Sequence, residues 1–145
     1  MTSSQQLPKS ERINSKKLID RLFKGGGAKS MSAFPLRVVF MTEDGDAHEP
    51  FAQMMVSVPK RFFKRAVKRN LVKRLVRGPY RRNKQVHSDP LQPVAQRKRL
   101  SLCFIWTDHN LRSYEEVERK TANLLQRIAE KIGKDMAEEA ENAEQ

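Results

Sequence analysis

Between Lys60 and Lys84 the chain carries twelve Lys or Arg residues and no Asp or Glu. Arg offers a planar fork to phosphate oxygens, Lys a point charge, and an amide such as Asn70 can donate and accept at a sugar or base edge. A solvated helix normally interleaves both signs to gain i,i+4 pairs. A run that forgoes them calls for an external anion. At about 100° per residue, Arg69, Asn70, Lys73, Arg74 and Arg77 fall within one arc of roughly 140° on a helical wheel. Val67, Leu71, Val72, Leu75 and Val76 fall opposite, which places Leu71 in the core. Lys64, Arg65 and Lys68 lie over the apolar sector nearer the N-terminus, where their stems can cover it. The expectation is a basic RNA-binding helix from about Lys60 to Arg77.

No second set of residues suggests protein-based catalysis. His48, His87 and His109 fall in expected loops or turns and pair with no nucleophile or metal-binding set. Asp44 and Asp46 fit a turn better than a metal site. The single cysteine, Cys103, fits a small core residue on a strand and excludes an internal disulfide.

The formal net charge of +12 hides an asymmetry. Residues 135–145 hold Asp135, Glu138, Glu139, Glu141 and Glu144 and no cation; setting that −5 aside leaves +17 on residues 1–134. Nucleic acid is the default partner, because Lys and Arg displace condensed counterions from phosphates. No apolar run approaches the roughly 20 residues of a membrane span, and the N-terminus lacks a signal-like apolar stretch. The expected location is cytoplasmic, with no membrane and no obligate protein partner.

Several elements must position the basic helix. Residues 1–9 read as a disordered N-terminus, 10–133 as a single domain and 134–145 as a flexible acidic tail. Ser10 or Asn14 is a candidate cap for a helix over about Lys16–Lys24, ended by Gly25-Gly26-Gly27. Leu36–Met41 and Phe51–Val58 have strand composition and suggest an antiparallel hairpin closed at Glu43–Asp46, with Pro59 ending the second strand. Gly78-Pro79 should end or kink the basic helix. Val86–Arg99 reads as an exposed basic loop and Leu100–Trp106 as a further strand. Ser113 and Glu116 suggest a capping box for a last helix over Tyr114–Ile132, stopped at Gly133. A short extra strand fits near Phe34.

SVPKRFFKRAVKRNLVKRLVR resembles the signature of the bacterial ribonuclease P protein subunit. The match rests on Ser57, Val58, Lys60, Arg61, Ala66, Val67, Arg69, Asn70, Lys73, Arg74 and Arg77. The resemblance spans about residues 7–132 and includes the KKLIDRLFKGG helix and the FIW strand. Leu71 stands where the family has a second motif arginine, and Gly78-Pro79 where its helix usually continues.

The resemblance implies an α+β fold. It is a two-layer α/β sandwich of order αβββαβα, with a central sheet of about four strands and a left-handed βαβ crossover. It implies the accessory subunit of an endoribonuclease that removes the 5′ leader of precursor tRNA, with a catalytic centre of RNA plus Mg. Ribonuclease P RNA and precursor tRNA are the implied partners. Arg65, Lys68, Arg69, Asn70, Lys73, Arg74 and Arg77 would hold the catalytic RNA. Ile19, Phe23, Phe40, Ser57, Lys60 and Arg61 would contact the leader in a cleft between the first helix and the sheet. Ordinary core packing is the alternative for Phe23 and Phe40. An RNA-scaffolding protein of ribosomal type and a DNA-binding regulator are the rival functions. The Ser-Val, Arg-Asn, Lys-Arg, Arg spacing disfavours the first, and the missing short helix before the long one disfavours the second.

Overall fold

The computed structural model describes residues 7–45, 51–85 and 98–144. After a short 3-10 turn at Lys9–Glu11, the order is α1 (Lys16–Lys24), β1 (Lys29–Ala33), β2 (Leu36–Asp44), β3 (Ala52–Ser57), α2 (Ala66–Asn83), β4 (Lys98–Trp106) and α3 (Tyr114–Glu144). This is the expected αβββαβα order in an α+β fold. The four strands form one mixed sheet in the order β1-β2-β4-β3.

Strand parity sorts the side chains onto two faces. Leu36, Val38 and Phe40 of β2, Met54 and Val56 of β3, and Leu102, Phe104 and Trp106 of β4 join one core cluster with Val72, Val76 and Tyr80 of α2 and Leu124, Leu125 and Ile128 of α3. Val39, Met41 and Cys103 face the other way, against Leu18 and Leu22 of α1. Burial pushes the Cys103 thiol up to about 12, so it acts as a core residue and not as a nucleophile.

The expected β2–β3 hairpin does not form. β4 lies between them, antiparallel to β2 and parallel to β3. The reason is burial: Leu100 to Phe104 are buried on both faces, so this strand must be central. β3, α2 and β4 therefore make a βαβ crossover. The hairpin partner of β2 is β1, the short strand expected near Phe34. Glu43 and Asp44 extend β2; Asp46 of the expected turn, and the stretch 86–97 with Pro90 and Pro93, lie outside the described residues.

The N-terminal segment is more ordered than expected from Leu7 onward. Leu7 is buried in the main core, and Ile13 donates its N–H to the Met54 carbonyl at 2.9 Å. The segment thus covers the open edge of β3, which would otherwise expose unpaired backbone groups. The α1 cap is Ser15, whose Oγ accepts from the Leu18 N–H at 3.4 Å, rather than Ser10 or Asn14. Gly26, at φ +78°, turns the chain out of α1.

Two helices run past their expected stops. α2 continues through Gly78-Pro79 to Asn83. A residue before proline resists helical geometry through its Cβ, and Gly78 has none. Pro79 still removes one helix hydrogen bond, at a cost of about 3 kcal/mol. Buried Val76 and Tyr80, one turn apart, offset it, with Tyr80 edge-on to Phe104 at 6.0 Å. Asn83 Nδ2 also donates to the Pro79 carbonyl at 2.8 Å. α3 likewise passes Gly133 and reaches Glu144, so the stretch expected to be a flexible tail is helical. Ile132 and Met136 pack on the main core, and Asp135 pairs with Lys29 and Lys131.

Candidate RNA interface

α2 starts at Ala66, six residues later than expected. Lys60 to Arg65 form a bridging loop, opened by a turn in which the Phe62 N–H meets the Pro59 carbonyl at 3.1 Å. Phe63 is buried in the main core just ahead of the helix, and Arg69 ties the loop down. Its Nη1 donates to the carbonyls of Phe63 at 3.0 Å and Lys64 at 2.7 Å, holding the loop onto the first helical turn. Arg69 is therefore a clamp as well as a cation. Arg65 occupies the N-cap position without a side-chain cap bond.

The buried side of α2 is Val72, Val76, Pro79 and Tyr80. Arg69, Lys73 and Arg77 are half-buried along one flank, and Lys68, Asn70 and Arg74 are exposed. Among the described residues no ion pair takes in Lys68, Arg69, Lys73, Arg74 or Arg77; at the far end Lys84 pairs with Glu11 at 3.0 Å. Arg77 shows the cost of this arrangement. Burial, then the nearby charges of Arg12 and Arg74, lower its pKa from the ordinary arginine value. An anion placed among these three guanidiniums would relieve that repulsion.

Two sequence expectations for this helix are corrected. Leu71 is 47% exposed and Val67 79% exposed, so neither is core. The wheel counted every apolar position, but only the sector centred on Val72, Val76 and Tyr80 reaches the sheet. Leu71 instead borders a surface groove with Leu75, Gly78 and Tyr114. Arg81 and Arg82, which lay beyond the expected stop, belong to the helix and extend its cations by a turn. Arg12 was missed altogether. It reaches Arg77 only because its segment bridges to Met54, a non-local pairing with no local sequence signal.

On the opposite face, Ile19 and Phe23 stand one turn apart on α1, Ile19 half-buried and Phe23 50% exposed. Phe40 does not join them. It is 3% exposed and belongs to the cluster under α2 and α3, because β2 alternates and Val39 and Met41 take the α1 side. Ser57 does lie on the α1 side, in a cross-strand row with Ile105 and Arg37. Lys60 and Arg61 follow it, both exposed, with Arg61 4.9 Å above the Phe62 ring. The Phe62 ring meets His109 edge-on at 4.7 Å. The structure thus brings the α2 cations together and separates Phe40 from the other leader candidates.

Comparison with known proteins agrees with this geometry. The family model described as Ribonuclease P matches residues 7–129. The ribonuclease P protein components of two Porphyromonas gingivalis strains are each 40% identical over 124 residues, covering 85% of this chain and 86% of the relative. Among solved structures, the RNase P protein of Thermotoga maritima aligns with a TM-score of 0.62 at 25% identity, over 81% of this chain and 96% of its own. The Staphylococcus aureus RNase P protein aligns with a TM-score of 0.60 at 16% identity, over 83% and 96%, and supports the fold alone. The chain belongs to the ribonuclease P protein family, the protein component of a tRNA-processing ribonucleoprotein.

Proposed function

We propose that this chain binds the catalytic RNA of ribonuclease P through α2 and the 5′ leader of precursor tRNA through the α1 side of the sheet, assisting Mg-dependent removal of the leader. The single observation that carries the reading is the cation row of α2, which has no carboxylate partner among the described residues between Lys68 and Arg77. Lys73, Arg74 and Arg77, with Arg12 beside them, are phosphate contacts; Asn70 is a sugar or base-edge contact. Arg65 and Lys68 extend the surface toward the loop, and Arg69 also orders that loop.

Leader contacts are assigned to Ile19, Phe23, Ser57, Lys60 and Arg61. Met55 and Ile105 join them as half-buried sheet residues on the same side, in the place first given to Phe40. Exposed aromatic and apolar faces stack on unpaired bases with little sequence preference, which suits a variable leader. Catalysis belongs to the RNA. Among the described residues no three His, Cys, Asp or Glu side chains gather as a metal-binding set. In this reading the magnesium ions that polarise the phosphate sit on the RNA and substrate, and no protein step runs through them. Among those residues no helix is long and apolar enough to cross a membrane, and a cytoplasmic setting follows from the proposed substrate.

The test is cleavage of precursor tRNA by a bacterial ribonuclease P RNA at low Mg²⁺, with and without the folded protein. The expected outcome is a clear rise in rate; an unchanged rate would remove the assignment.

A further inference from the structure

The groove beside Leu71 is not explained by phosphate contacts. It encloses about 330 Å³ between α2 and the first turn of α3. Its floor is Leu71, Leu75 and the bare backbone of Gly78. One wall is the Tyr114 ring. Arg74, Arg81 and Arg82 rim it, and the Arg82 guanidinium sits 5.4 Å from the centre of the Tyr114 ring. Tyr114 is 36% exposed and Leu71 47% exposed, so an aromatic wall and an aliphatic floor both meet solvent. A helix built only to hold phosphates has no use for an apolar slot in its outer face. Three guanidiniums around that slot disfavour a cationic or purely apolar occupant and favour one that pairs a flat apolar surface with negative charge.

We propose that this groove receives one unpaired nucleobase of the bound RNA, stacked against Tyr114, with its flanking phosphates held by Arg74 and Arg82. The inference deepens the RNA-binding reading of α2 and rests on it. Arg74 belongs to both surfaces, so the base site is continuous with the phosphate row. Leu71 then has a positive role. An arginine there would fill the slot and add a phosphate contact, whereas leucine leaves an apolar floor. Gly78 contributes by omission, since a Cβ at this position would meet the Tyr114 ring edge at 3.6 Å, ordinary contact that would raise the floor by a methyl group.

The experiment measures affinity for a bacterial ribonuclease P RNA across a salt series for the full chain and for Tyr114→Ala, Tyr114→Phe and Arg74→Ala. Tyr114→Ala is expected to weaken binding roughly fivefold to a hundredfold, the range for losing one stacked base, with the salt slope unchanged. Tyr114→Phe should bind within about twofold of the parent, because the ring is kept. Arg74→Ala should lower the slope by about one. Parent-like affinity in folded Tyr114→Ala, with Arg74→Ala still losing slope, overturns the base site and leaves the RNA reading standing. If Arg74→Ala and Tyr114→Ala both bind as the parent does, both readings fall. Should Tyr114→Ala not fold, Tyr114→Leu carries the test: it keeps the apolar packing and loses the flat ring, so binding should weaken severalfold with the salt slope unchanged, and parent-like binding would overturn the proposal.

Discussion

Two stretches of this chain carry one sign of charge, and the structure treats them in opposite ways. α2 presents cations outward with no carboxylate partner, among the described residues, from Lys68 to Arg77. The acidic end of α3 is tied back into the molecule: Asp135 meets Lys29 of β1 and Lys131 one turn earlier, and Met136 packs on the core. The difference teaches that a single-sign run does not by itself mark an interface. What marks α2 is that its cations sit beside other cations, at Arg12, Arg74 and Arg77, on a helix pinned by deeply buried residues. The α3 end carries exposed glutamates, but Asp135 at its start is already paired with two lysines.

That contrast can be broken first at the anchors. Tyr80→Ala should cost about 3–5 kcal/mol, because a fully buried ring against Phe104 is lost and α2 with it. Met136→Ala should cost only about 1 kcal/mol, since that side chain is half-buried near a helix end. Chemical denaturation of both variants checks the pair; equal losses would mean that the two helices are anchored alike.

Arg69 sharpens the comparison within α2. Arg69→Lys keeps the charge and loses the guanidinium Nη1 that reaches two carbonyls. It should cost about 1–2 kcal/mol and speed amide exchange in the Lys60–Arg65 loop, while the salt slope of RNA binding stays near the parent value. A slope that falls with unchanged exchange would reassign Arg69 from clamp to phosphate contact.

The smallest effect is expected at the α3 end, through pH. The hydrogen bond from Lys29, with Lys131 in support, holds the Asp135 carboxyl below the ordinary carboxylate range. A depressed folded-state pKa contributes stability above the unfolded value of about 4, and that contribution is lost as pH falls through the folded value. Amide protection after Gly133 should therefore fall below about pH 4, sooner than in α2, where among the described residues no carboxylate supports Lys68–Arg77. Uniform exchange across both helices would contradict the assigned anchor.

Much of this was legible in the residues themselves. The α1 span, the three main strands, the Ser113 cap and the opposed apolar and cationic sectors of α2 all follow local periodicity. Ser113 Oγ does accept the Glu116 N–H at 3.2 Å, although the Glu116 carboxylate goes to Arg112 instead of closing the capping box. Non-local facts were not legible. Nothing local places β4 between β2 and β3, so the hairpin expectation failed, and Phe40 was assigned to the wrong face because its parity relative to α1 depends on that sheet. Gly78-Pro79 and Gly133 carry real local penalties, but Tyr80, Ile132 and Met136 overrule them through tertiary burial. Leu71 was misplaced because a wheel shows which residues share a side, not how wide a sector the core covers.

The central claim is that the outward cations of α2 hold RNA phosphates. Its most direct measurement is the salt dependence of binding to a ribonuclease P RNA for the Lys73→Ala/Arg74→Ala/Arg77→Ala triple variant, beside a Glu138→Gln/Glu139→Gln variant of the α3 end. The triple variant should lose roughly two to three from the slope of log affinity against log salt, while the glutamine variant keeps the parent slope. A parent-like slope in the folded triple variant would show that another surface holds the RNA.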